Sequence, residues 1–135
     1  MNSFNEDDIK NELYNFFNSV DFKEAKEMIN DNDELKKLFN KIDALINRYT
    51  NAFDGNYYHN SYEEFSDVKY QVKHKIRVLK DNSNKLSKAI KLTNKFIDEQ
   101  NNKLDNIMIN ETVSGIQSNG IKAFNELISE LNKLE

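Results

Sequence analysis

Apolar residues return along most of this chain at steps of three and four, the period of a helix buried on one side. Between residues 6 and 20 they are Ile9, Leu13, Phe16, Phe17 and Val20. Ser3 followed by Glu6 has the form of a capping box, in which a hydroxyl and a carboxylate satisfy N–H groups that the first turn leaves free. Asp21 with Glu24 repeats that form and predicts a short helix with Phe22, Ala25, Met28 and Ile29 inward. Leu35, Leu38, Phe39, Ile42, Leu45, Ile46 and Tyr49 predict a helix over 34–49. Residues 54–61, DGNYYHNS, predict a reversal of the chain. After it, Ser61 with Glu64 reads as a cap, and Phe65, Val68, Val72, Ile76 and Leu79 predict a helix over 62–79. The run DNSN at 81–84 ends that helix. Leu86, Ala89, Ile90, Thr93, Ile97, Leu104 and Ile107 predict the next one, over 86–107. Residues 109–120, INETVSGIQSNG, contain Gly115 and Gly120 and are expected to be irregular, with a weak alternation from Ile107 to Val113. Ile121, Phe124, Leu127, Ile128, Leu131 and Leu134 predict a last helix over about 120–134.

The fold class read from this pattern is all-α. A long antiparallel helical hairpin is expected over about 34–107, with short helices before it and a C-terminal helix after it, as a small helical bundle in one domain, 1–135. Composition agrees: there is no proline and there are only three glycines, so little interrupts a helix. The absence of cysteine removes disulfides and thiolate metal sites. MNSFNEDDIK is acidic and lacks the apolar run of a signal peptide, and no stretch is long and apolar enough to span a bilayer. A cytoplasmic protein with no membrane partner is expected.

One acidic cluster invites a metal reading. In MINDNDELKKLFNKI (28–42), Asp31, Asp33 and Glu34 stand close together. A calcium loop needs oxygen ligands at alternate positions, then a glycine. Here Leu35 takes the third ligand position and Lys36 the glycine position. Asp31 with Glu34 fits a helix cap instead, so these carboxylates are expected to begin the helix at 34 and complement its dipole. The two histidines, His59 and His74, have no ligand partner one turn away. No carboxylate sits within an apolar stripe, where burial raises a pKa for acid–base work. The expectation is therefore no catalytic residue, no metal and no cofactor.

Two features suggest binding. Residues 1–34 hold ten acidic side chains against three lysines. Residues 69–95 hold nine basic side chains with Asp81 as their one acid. Lys69, Lys73, Arg77 and Lys80 share one helical face, and Lys85, Lys88, Lys91 and Lys95 share another. That stripe suits an acidic protein surface, phosphate backbone, or solvent. The second feature is the aromatic group Tyr57, Tyr58, His59 and Tyr62 at the reversal, which reads as a partner anchor or as a cover for the hairpin's end.

SVDFKEAKEMINDNDELKKLFNKIDALI (19–46) resembles the YlbF/YmcA family of small helical proteins from Firmicutes. VKYQVKHKIRVLKDN (68–82) looks like the start of the second arm of that family's hairpin, and KAIKLTNKFIDEQNNKLDNI (88–107) like its continuation. The proline frequent in the family's joints is missing, as are the cysteines of the members that carry an iron–sulfur cluster. The resemblance covers about residues 8–107 and implies a bacterial, non-enzymatic regulator that associates through its helices, some members acting on ribonuclease Y and messenger RNA maturation. Leu35, Leu38 and Phe39 with VKYQVKHKIR (68–77) are also similar in layout to the small helical subunit of type III CRISPR effectors. That likeness implies nucleic-acid contact through Lys69, Lys73, Arg77, Lys88, Lys91 and Lys95. Size and composition also fit a phage or mobile-element protein that inhibits a host complex. Apolar groups on more than one face of 86–107 predict a homodimer or a stable heteromer.

Overall fold

A computed structural model of the chain describes residues 6–51, 59–107 and 111–135. These residues form six helices: α1 (Glu6–Phe17), α2 (Val20–Met28), α3 (Asp33–Asn51), α4 (His59–Arg77), α5 (Ser83–Asp105) and α6 (Val113–Asn132). The chain is all-α, as its periodicity predicts. It divides into two compact units, Met1–Asp31 and Asn32–Glu135.

In the larger unit every apolar position of the α3 stripe, from Leu35 to Tyr49, is buried. The helix starts one residue away from the expected cap. Asn32 Oδ1, not the Asp31 carboxylate, accepts from Leu35 N at 2.8 Å. Asp33 and Glu34 then occupy the first turn, where the helix dipole favours negative charge. α4 also begins early, at His59, so Ser61 stands inside the helix rather than capping it. No proline follows to stop the helix from propagating backward over these residues. α4 closes in tight turns, with Leu79 N donating to Ile76 O at 3.1 Å and Lys80 N to Arg77 O at 3.2 Å. Asn82 then caps α5 by accepting from Lys85 N at 3.1 Å.

The largest departure from the sequence reading is α6. The segment expected to be irregular is helical from Val113, because Thr112 caps it by accepting from Gly115 N at 3.0 Å. Two glycines in one helix cost roughly 1 kcal/mol each relative to alanine. For Gly120 there is a packing reason. A Cβ at that position would lie 2.6 Å from Cε1 of Tyr49, so the Tyr49 ring of α3 lies against the α6 backbone only because the side chain is missing. With 20 residues α6 is about 30 Å long, starting seven residues before the expected 120.

Each of α3, α4, α5 and α6 packs against the other three. Lys73 of α4 meets Asp43 of α3, and Arg77 meets Phe39, so these helices are the antiparallel arms of a hairpin. Arg48 reaches Asn101 and Asp105, and Lys41 reaches Asn94, so α5 runs back parallel to α3 instead of continuing the second arm. Lys85 near the start of α5 donates to the Glu135 carbonyl, which makes α6 antiparallel to α5. The result is an up-down-up-down four-helix bundle. Its core joins one aromatic ring from each helix. Tyr49 stacks on Phe65 at 5.2 Å between centroids, Phe65 meets Phe124 edge-on at 6.3 Å, and Phe124 meets Phe96 at 4.8 Å. Phe96 and Ile97, two of the apolar groups that spread over more than one face of 86–107, lie in this core.

The smaller unit is a helical pair. Ser19 Oγ accepts from Phe22 N at 3.2 Å and begins α2, two residues before the expected Asp21 cap. Phe16, Phe17 and Phe22 form a trio with centroids 4.9–5.7 Å apart. Ser3, the expected cap of α1, lies outside the described residues.

Two substitutions test this account. Gly120→Ala is expected to destabilise the fold by on the order of 1–3 kcal/mol despite alanine's better helix propensity, since the added methyl overlaps the Tyr49 ring. Asn32→Ala is expected to cost about 1 kcal/mol through the lost cap. Denaturant unfolding measures both, and a neutral or stabilising Gly120→Ala contradicts the close approach.

Candidate functional site

The basic stripe read from the sequence is divided by the fold. Lys73 and Arg77 are only 2% and 7% exposed. Lys73 Nζ lies 2.7 Å from Asp43 Oδ1 and 5.7 Å above the Phe39 ring, and the Arg77 guanidinium carbon lies 4.6 Å above the same ring. Each follows an apolar residue of α4, Val72 or Ile76, by one position, a turn of about 100° that puts it at the edge of the buried stripe. Long stems bury there while the charged heads find partners. Lys69 and Lys80 are half-buried and engaged in contacts of their own. Lys85 is half-buried and donates to the Glu135 carbonyl at 3.3 Å. What faces solvent is Lys88, Lys91 and Lys95 on α5, with Lys95 at 4.0 Å from Glu99.

Of the aromatic group, Tyr57 and Tyr58 lie outside the described residues. His59 and Tyr62 fall in the first turn of α4, and their side chains lie outside the description too.

Exposed apolar surface is concentrated elsewhere, on α1 and the end of α2. α1 has no buried residue. Leu13, Tyr14, Phe16 and Phe17 are each about half exposed or more, as is Met28, and Ile29 is 81% exposed. The periodicity of this segment reads as an inward face, yet helices of twelve and nine residues offer each other too little surface to bury it. Glu6, Asp8 and Glu12 stand exposed on the same helix.

A polar group is enclosed in the bundle. The Tyr49 hydroxyl donates to Gln100 Oε1 at 2.7 Å, and Gln117 Nε2 donates to the Tyr49 carbonyl at 3.0 Å. Gln117 Oε1 and Thr93 Oγ1 are buried without a hydrogen-bond partner among the described residues. Burial pushes the Tyr49 phenol up from 10.0 to about 12, against the opposing charge of Arg48. Beside this group a cleft of about 450 Å³ opens between the end of α5 and the start of α6. The sequence reading missed Gln100 and Gln117. Gln100 follows Phe96 by four positions and Ile97 by three, in the frame of the buried stripe, which is the signal that marks it. Gln117 fell in the stretch read as irregular.

No family model, no curated protein and no solved structure matches this chain.

The Tyr49 environment predicts an alkaline signature. The folded-state pKa lies above the unfolded one, so the stabilisation is complete below pH 10.0 and is lost as pH rises towards about 12. The loss reaches on the order of 2–3 kcal/mol. Tyr49→Phe is expected to flatten that part of the stability curve relative to the parent chain. Identical slopes for the two in denaturant unfolding above pH 10.0 contradict it.

Proposed function

We propose that this protein is a non-enzymatic adaptor or regulator that acts by protein–protein contact through its acidic N-terminal helical pair. One observation carries the reading: Leu13, Tyr14, Phe16 and Phe17 are exposed together on a helix that also presents Glu6, Asp8 and Glu12 to solvent. Clustered exposed aromatic residues are the usual anchors of interfaces. An amphipathic helix of this kind docks by laying its apolar side in a groove. Residues 1–31 hold eight acidic side chains against three lysines, so the matching groove is apolar and rimmed by lysine or arginine. The resemblance of residues 19–46 to the YlbF/YmcA regulators accords with this. A nucleic-acid subunit is less well supported, because Lys73 and Arg77 are buried at Phe39 and only Lys88, Lys91 and Lys95 of the stripe are exposed.

A photo-crosslinking side chain placed at Tyr14 of the full chain, in its native cell, tests the proposal. A protein cross-link from position 14 that disappears with Phe17→Ser, with none from position 91, is the expected outcome. Cross-links to RNA or protein from position 91 and none from position 14 contradict it.

A further inference from the structure

The cleft between α5 and α6 joins three kinds of surface. Its apolar wall is Leu104, Ile107 and Ile116. Lys103 and Glu111 bring opposite charges to its rim. Gln100 contributes an amide that is 96% buried by residue, being 4% exposed. The Oε1 of that amide is occupied by the Tyr49 hydroxyl at 2.7 Å. Among the described residues nothing accepts from its Nε2, and Nε2 is not one of the enclosed unpartnered atoms, so it reaches accessible space. A buried amide donor held in place by a second side chain, beside an apolar wall, is the arrangement of a small-ligand site. A volume of about 450 Å³ is in the range of such sites.

We infer that this cleft binds a small apolar zwitterion of the amino-acid type. The carboxylate of the ligand is taken by Gln100 Nε2 and the Lys103 ammonium. Its ammonium group faces the Glu111 carboxylate, and its side chain lies on Leu104, Ile107 and Ile116. Each partner is of the kind the ligand group requires: donors for the carboxylate, an anion for the ammonium, and hydrocarbon for the side chain. A simple organic acid leaves Glu111 opposing its charge, and a simple amine leaves Lys103 doing so. Gln100 and Lys103 also border a second groove between α5 and α6, further along both helices, lined by Leu92, Glu126 and Glu130. That groove sets three carboxylates, those of Glu99, Glu126 and Glu130, against the ammonium groups of Lys95 and Lys103, so its excess of negative charge suits the carboxylate end of such a ligand less well.

The test is a titration of the full chain with L-phenylalanine, followed by amide chemical shifts. Saturable shifts confined to Tyr49, residues 100–107 and residues 111–119 are expected. Phenylpropionate and phenethylamine, each lacking one charge, are expected to bind about tenfold or more weaker. Lys103→Met and Glu111→Gln change exposed or rim side chains rather than the core, and each is expected to weaken binding about tenfold with the unfolding midpoint unchanged. Gln100→Leu is expected to abolish binding, and Tyr49→Phe, which removes only the hydroxyl that holds Gln100, to weaken it less. No saturation by about 10 mM overturns the inference. So does equal binding of the two single-charge compounds, or shifts that centre on Leu92 and Glu126.

Discussion

Four aromatic rings, one from each helix of the bundle, touch in the order Tyr49, Phe65, Phe124, Phe96. The rest of the larger unit depends on this line of contacts. It crosses the bundle through α3, α4, α6 and α5, so no helix can be removed without opening the core. Aromatic pairs in edge-on or offset geometry add roughly 0.5–1.5 kcal/mol each beyond the area they bury. The line also fixes the position of α6. Tyr49 lies so close to the α6 backbone that only glycine fits at position 120. Gly120 is therefore part of the core, although its sequence neighbourhood reads as a breaker.

Polar groups sit beside these rings and shape how the helices register. Tyr49 uses its ring for the stack, its hydroxyl for Gln100 and its carbonyl for Gln117. A buried polar group left without a partner costs on the order of 1–3 kcal/mol, so sliding α5 or α6 along α3 is penalised. Lys73 and Arg77 have a comparable role between α3 and α4. Their cationic heads lie over the Phe39 ring, and Lys73 reaches Asp43 as well. Removing Asp43 would take this carboxylate from a Lys73 head that is buried, which favours this pairing of helices over alternatives.

The helix class and most of the core were legible because apolar side chains at steps of three and four have one efficient solution. The stripe from Leu35 to Tyr49 and that from Phe65 to Leu79 are buried as written. Helix starts were less legible, because Asn32 and Ser19 compete locally with Asp31 and Asp21 for the same capping role. The start of α6 was hidden by glycine, whose low helix propensity is a local property while its use at 120 depends on a residue 71 positions earlier. The basic face was only partly legible. Sequence spacing places Lys73 and Arg77 on one side of a helix, but it does not say that Phe39 of another helix will cover that side. For α1 the error has the opposite sign: its apolar period is clear, yet those side chains are exposed.

The bundle closes its core with four rings, while the helical pair keeps Leu13, Tyr14, Phe16 and Phe17 in reach of solvent. A segment with few buried contacts opens at low free energy, which suits a surface that a partner orders on binding. Hydrogen–deuterium exchange of the purified full chain measures this directly. Amides of α1 and α2 are expected to exchange orders of magnitude faster than those around Phe65, Phe96 and Phe124. Protection of α1 equal to that of the bundle core, in the isolated chain, would show that its apolar face is already covered and would contradict the account.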